Sequence, residues 1–564
     1  MKRFFILLIL FITLVSCSGV EEKFVNPILA GFYPDPSICK VGSDYYIVNS
    51  TFGYFPGIPI FHSKDLVNWE LIGHVLDRPE QLNLEGFGVS RAIFAPAIRY
   101  NKGKFYVTCT LVDGGGNFIV SADKPEGPWS NPIWLPEING IDPSLFFDDD
   151  GKTYITYNSD APDNKPLYPG HRTVRMVEFD IDKMKVISEP IILINGGVDI
   201  SKKPVWIEGP HIYKINGIYY LTAAEGGTAE DHSQVILKSD KVDGPYIPYD
   251  KNPILTQRHL DHNRKFPVTC AGHADFVQTD DGNWWSIFLA CRPHKGNYYT
   301  GRETFLAPIK WIDGWPVINP DFEEIQYYYQ SPIKPTTGKV DIPYSGNFIT
   351  KDEFNKDQLH PSWIFLRTPH DKWYDLNVKK EYLAINLRSE TCSGKSNPSF
   401  IARRQQHNKG YASTSMLFNP SSENEKAGII VFLNETCFYY LCKSVENGKE
   451  VVQLFRSVEK PKSENEMELI KQLEIPKEKM DEKINLKIET TGDDYLFYYA
   501  FENEEWKFID KMDASFLRVQ IPRDFTGCVY GMYATSLGKK SNNVAYYDWF
   551  EYNGNDDVYN SISK

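Results

Sequence analysis

The sequence predicts an all-β protein, a five-bladed β-propeller followed by a β-sandwich, and three observations carry that reading. A short hydrophobic strand, a turn and a strand dense in Tyr, Phe or Trp recur five times before residue 290. The turns include Lys102-Gly103, Asp150-Gly151, Asn216-Gly217 and Asp281-Gly282, dipeptides that tight hairpins use where φ must be positive. Past Ile318-Asn319-Pro320 the repeat stops, and alternating strands with polar turns take over.

In chain order, Met1-Lys2-Arg3 precedes an apolar run from Phe4 to Val15, a positive n-region followed by an h-region. The run is too short to cross a bilayer comfortably, and it ends at Leu14-Val15-Ser16-Cys17, which resembles the lipobox of bacterial lipoproteins. Residues 1–17 read as a lipoprotein signal peptide ending at a lipidated Cys17; an ordinary cleaved signal with an incidental cysteine is the alternative. Either way the chain is exported, to the outer membrane facing periplasm or cell surface. The lipid anchor is then its only membrane attachment. Glu21-Glu22 resembles the surface-export signals of some Gram-negative lipoproteins.

The propeller is placed over residues 24–325. Its copies are Asp35-Pro36-Ser37-Ile38 leading to Asp44-Tyr45-Tyr46, Ala95-Pro96-Ala97-Ile98 leading to Lys104-Phe105-Tyr106, and Asp142-Pro143-Ser144-Leu145 leading to Thr153-Tyr154. Gly209-Pro210-His211-Ile212 leads to Ile218-Tyr219-Tyr220, and His273-Ala274-Asp275-Phe276 to Asn283-Trp284-Trp285. The innermost strand of each propeller blade begins near a common axis, so these opening residues converge. They are Asp35, Ala95, Asp142, Gly209 with Glu208 before it, and His273. One Asp-Pro alone is a turn starter. Three carboxylates in register are another matter, because packing like charges together is costly and suggests chemistry.

Composition narrows the partners. A net charge of -13 excludes nucleic acid and anionic membrane surfaces. Aromatic residues make up 14% of the chain, a share that suits either strands or flat faces for sugar rings. Eight cysteines beyond Cys17 show no paired metal spacing and read as buried small hydrophobes. The Asp148-Asp149-Asp150-Gly151 run lacks the spaced ligands of a calcium loop and reads as a hairpin turn.

Two carboxyl groups flanking a glycosidic bond suffice for inverting hydrolysis, one as base toward water and one as acid toward the leaving oxygen. The segments Tyr33-Pro34-Asp35-Pro36-Ser37, Gly140-Ile141-Asp142-Pro143-Ser144 and Trp206-Ile207-Glu208-Gly209-Pro210-His211 resemble glycoside hydrolase family 43. Phe55-Pro56-Gly57, Ala271-Gly272-His273-Ala274-Asp275 and Gly301-Arg302-Glu303-Thr304 extend the resemblance. It implies Asp35 as general base, Glu208 as general acid and Asp142 as the group that raises the acid's pKa and orients it. It implies Arg302 at the sugar hydroxyls, where a surface salt bridge is the alternative. It places His273 at the pocket floor, where some relatives hold calcium through water; a hydrogen-bonded structural histidine is the other reading. No cofactor is required. Phe94 stands where many relatives have Trp, and Phe52 and Trp206 are further aromatics near the mouth. Trp69 reads as blade packing.

The sandwich is placed over residues 345–555. Trp363-Ile364-Phe365-Leu366-Arg367 and Asp524-Phe525-Thr526-Gly527 resemble the domain behind many family 43 xylosidases. There a loop narrows the pocket, which makes Phe525 a candidate lid residue or else an ordinary core Phe. The function expected is exo-acting, inverting removal of terminal β-D-xylosyl or α-L-arabinofuranosyl residues from plant hemicellulose oligosaccharides. An endo-arabinanase and a carbohydrate-binding propeller without catalysis are the alternatives.

Overall fold

The computed structural model describes residues 22–335, 340–520 and 523–562. Cys17 and its lipobox lie outside them. Nearly every element is a strand. Blade one comprises Ser37–Val41, Asp44–Val48, Gly57–Ser63 and Glu70–Leu76. Blades two to five have as inner strands Ala97–Asn101, Ile141–Phe147, Glu208–Ile215 and Thr269–Gln278. The five inner strands touch in closed cyclic order, blade five returning to blade one. That closure makes the repeat a propeller.

The turn chemistry splits into two kinds. Lys102-Gly103 (φ 47 and 84) and Asn216-Gly217 (φ 51 and 81) carry positive φ at both residues, as a two-residue type I′ hairpin requires. At Asp150-Gly151 and Asp281-Gly282 only the glycine does, φ 89 and 86. Those loops are closed further out, by Asp148 N–H to the Lys152 carbonyl and Thr279 N–H to the Asn283 carbonyl. The acidic run is therefore a hairpin turn, with Asp148 accepting from Lys214 Nζ at 2.7 Å and the Tyr219 hydroxyl at 2.7 Å.

The openings of blades three, four and five depart from regular pairing. The ladder skips between Ile141 and Ser144, between Glu208 and His211, and on both sides of Gly272. An extra residue in one strand re-aims side chains and often sits beside active sites. Asp35, Asp142, Gly209 and His273 all take left-handed conformations, with φ between 52 and 57. Gly209 has a second reason to be glycine, because a Cβ there would lie 2.9 Å from the His273 ring.

The sandwich consists of two eight-stranded sheets. In Ile484–Thr490 every second residue is buried, the alternation of a half-covered sheet. The two units share a ladder. Propeller strand Tyr54–Phe55 pairs with Ile364–Leu366, Phe365 opposite Phe55 and Leu366 opposite Tyr54, and so forms the last strand of a sandwich sheet. Arg292 of blade five binds Glu303 through Nε and Nη2 at 2.7 and 2.8 Å and reaches Asp556 at 2.7 Å. Trp69 is 2% exposed and donates to the Leu66 carbonyl. The eight described cysteines are free thiols, buried except for the partly exposed Cys437.

Candidate active site

Asp35, Asp142, Glu208, His273 and Arg302 line one cavity of about 640 Å3, together with Phe52, Phe94, Trp206 and Phe525. The nine residues expected from the sequence to act in catalysis or substrate binding thus line one cavity. Three elements are bent to achieve this: Asp35 precedes its strand, Asp142 sits in a bulge, and Glu208 is the last paired residue before one, opposite Ala224.

The Asp35 carboxylate is held from two sides, by Ser50 Oγ at 2.6 Å and Arg302 Nη1 at 2.9 Å. His273 Nδ1 lies 4.0 Å from its Oδ1. Asp142 accepts from the Gly209 N–H at 3.1 Å. Burial first, and then the neighbouring Asp142 and Asp35 charges, push the Glu208 carboxyl well above its ordinary value against the opposing pull of Arg302 and Trp206. Asp142 is itself raised to about 6, chiefly by burial, with His273 acting against that and Asp35 adding to it. Both carboxyls thus hold their protons more tightly than a free carboxyl does, Glu208 with Asp142 as a charge beside it, and neighbouring carboxyls whose affinities are pushed in this way can take different roles.

Arg302 is buried, so it is not a surface salt bridge. It is in an ion pair, but the partner is Asp35, and Nη1 also reaches Thr228 Oγ1 at 3.2 Å. Its Nε has no protein acceptor. The guanidinium packs on the rings of Phe52 at 5.7 Å and Phe525 at 5.2 Å.

Phe525 is not an ordinary core residue. It stacks on Phe52 at 5.9 Å and meets Phe94 edge-on at 5.5 Å, so one cavity wall comes from the sandwich. Its loop is pinned by Phe525 N–H to Ser90 Oγ and Cys528 N–H to the Tyr299 carbonyl. Gly527 abuts Thr300-Gly301, where a Cβ on Gly527 would fall 2.6 Å from the Thr300 backbone. Trp206 is 36% exposed, with the Arg172 guanidinium 4.7 Å from its ring.

The sequence reading missed Ser50, Thr228, Arg91 and Arg172. None of them stands at an opening position of the repeat, so no register marked them. Among the described residues no group of three or more His, Cys, Asp or Glu side chains is placed to hold a metal ion. The surroundings of His273 therefore do not fit a directly ligated metal.

A propeller that gathers three carboxyls in one cavity has the architecture of a glycoside hydrolase. Residues 24–316 match the glycosyl hydrolases family 43, and residues 351–553 match the β-xylosidase C-terminal concanavalin A-like domain. The chain belongs to glycosyl hydrolases family 43. It is 38% identical to a xylosidase/arabinosidase of Butyrivibrio fibrisolvens, over 93% of this chain and 98% of that one. It is 35% identical to a non-reducing end α-L-arabinofuranosidase of Bacteroides ovatus, over 97% and 98% of the two chains. A family 43 crystal structure from the capybara gut metagenome superposes with a TM-score of 0.84 at 42% identity, covering 91% of this chain and 95% of that one.

Proposed function

We propose that the protein is an exo-acting, inverting glycosidase that removes terminal β-D-xylosyl residues, and α-L-arabinofuranosyl residues as well, from hemicellulose oligosaccharides. The observation that carries this reading is a single cavity with Asp35, Asp142 and Glu208 in its lining and Phe525 of the second domain closing one wall. A wall of that kind favours one chain end over an internal segment of polymer. The similarity to chains named for xylosidase and arabinosidase activity supports the sugar class.

In this mechanism Asp35, oriented by Ser50 and Arg302, takes a proton from water as it attacks the anomeric carbon. Glu208 gives its proton to the departing oxygen, and Asp142 keeps that proton on Glu208 until then. Arg302 and the aromatic wall hold the sugar. No step uses a metal, and a calcium ion near His273, held through water, would be structural.

The export reading is proposed with it: Cys17 carries lipid and tethers the enzyme to the outer membrane. Cys17→Ser should release the protein from the membrane fraction.

Nitrophenyl β-xyloside and α-arabinofuranoside assayed side by side test the substrate. Proton NMR of the first-formed sugar tests the stereochemistry, and retention of anomeric configuration would refute the inverting mechanism. Glu208→Gln should lose activity by about 10² to 10⁴ on a sugar leaving group, and less on nitrophenol, which needs little protonation. Undiminished hydrolysis would refute Glu208 as the acid, whereas a wild-type protein that binds these sugars and never cleaves them would leave only a carbohydrate-binding propeller.

A further inference from the structure

The opening residues of blades three, four and five sit in bulges, outside the ladder hydrogen bonds that fix a strand. Their relative positions must be set by something else. Side chains two apart along a strand share a face, so the next axial layer is Ser37, Ala97, Ser144, His211 and Asp275. Blade two differs from the rest. Its opening residue is Ala95, which has no polar side-chain group, yet two positions beyond Ala97 on the same face stands Arg99.

That guanidinium ties the layer together. Arg99 Nη1 donates to Asp275 Oδ2 at 2.8 Å and to Ser37 Oγ at 3.2 Å, while Nη2 donates to His211 Nδ1 at 2.8 Å and to Asp275 Oδ1 at 3.3 Å. Ser144 Oγ lies 2.7 Å from the same His211 nitrogen. Asp275 also accepts from Ser37 Oγ at 2.7 Å, from the Ile38 N–H at 3.0 Å and from the Tyr213 hydroxyl. All five blades therefore contribute to one hydrogen-bonded cluster, reached two residues past Asp35, Asp142, Gly209 and His273. In the Arg99–Asp275 pair the carboxylate side chain is 1% exposed and the arginine side chain 16%. Burial drives the Asp275 carboxyl up, but Arg99, His211 and Tyr213 more than offset it and leave it below its ordinary value. Burial lowers His211 to about 3. His211 is thus neutral and accepts at Nδ1 from Arg99, which puts its own proton on Nε2.

We propose that Arg99 is a positioning residue for the hydrolysis: by bridging Ser37, His211 and Asp275 it sets the spacing between the blade that carries Asp35 and the blade that carries Glu208. It touches no substrate. The inference rests on the roles given above to Asp35 and Glu208. A planar fork can serve several acceptors at fixed angles, and a lysine ammonium cannot replace it at such a site. Misplacing reacting groups by about 1 Å costs about 10²-fold in rate.

The experiment uses the full chain with Arg99→Lys, which keeps the charge opposite Asp275. The expected result is an unchanged circular dichroism spectrum, a KM for nitrophenyl β-xyloside within about twofold, a kcat lower by about 10- to 100-fold, and a basic limb of kcat/KM moved to lower pH as Glu208 and the Asp35 charge that helps raise it move apart. A folded Arg99→Lys with wild-type kcat and an unmoved limb overturns the proposal. Lower kcat with an unmoved limb and a matching loss of thermal stability overturns it too, since that is a structural role only. If Arg99→Lys does not fold, Ser37→Ala/Ser144→Ala decides, because it removes two hydroxyls of the cluster and leaves the ion pair. Lower kcat at constant KM then supports the proposal, and wild-type kcat refutes it. Asp35→Asn and Glu208→Gln are run in parallel. If either keeps full activity the catalytic assignment has failed, whereas inactive carboxylate variants beside a wild-type Arg99→Lys mean that only the positioning role has failed.

Discussion

Replacing Asp142 by Asn removes one negative charge from beside Glu208 while keeping shape and an acceptor for the Gly209 N–H. Two consequences follow from the same electrostatics. Folding raises the Asp142 carboxyl from 3.8 to about 6, which at about 1.36 kcal/mol per pH unit corresponds to about 3 kcal/mol. A carboxyl raised on folding binds more protons in the folded state, so the stability present below pH 3.8 is lost as pH climbs to about 6. Asn has no such loss. Its weaker hydrogen bond from Gly209 takes back about 1 kcal/mol, leaving the variant more stable by about 2 kcal/mol at pH 8 and near parity at pH 4. At the same time Glu208 loses the charge that helps hold its proton, so the basic limb of kcat/KM moves to lower pH and activity at neutral pH falls. Urea unfolding at pH 4 and pH 8, with a pH–rate profile on nitrophenyl β-xyloside, measures both. A variant less stable than wild type at pH 8, or one whose basic limb has not moved, would refute the account of Asp142 as a strained electrostatic partner.

Phe525→Ala removes the ring shared by Phe52, Phe94 and Arg302. KM should rise about fivefold, in line with about 1 kcal/mol for an aromatic contact, and an unchanged KM would mean that the loop does not wall the sugar. A chain ending at Ser345 exposes the pairing edge of Tyr54–Phe55 and deprives Arg292 of Asp556. It should aggregate or be inactive, and a soluble, fully active propeller on size-exclusion chromatography would contradict the shared-sheet architecture. Dialysis against EDTA should leave kcat and KM at wild-type values, and lost activity restored by calcium would require a metal in the mechanism.

The repeat was legible because each blade needs its own hairpin, and a hairpin writes itself locally in turn dipeptides and aromatic strands. The carboxylates were legible because the blades share a register, so Asp35, Asp142 and Glu208 could be aligned without knowing any distance. Arg99 was not, because a lone arginine four residues past an alanine has no local signature; its meaning depends on Ser37, His211 and Asp275 arriving from three other blades. Asp275 stood in a recognised segment, but its role in the layer beneath the site required the strand period to be read around the whole ring. Ser50 and Thr228 escaped for the same reason.

By itself the sequence determined the fold class, the five openings and the three acids, since local turn chemistry and strand alternation depend only on neighbours along the chain. The tertiary structure decided what those acids experience. The ion pair that orients Asp35, the burial and crowding that raise Glu208, and the phenylalanine lent by the sandwich all arise from groups that stand on different blades or domains. Electrostatic fields and cavity walls are set by distance in space, and no periodicity along the chain encodes it.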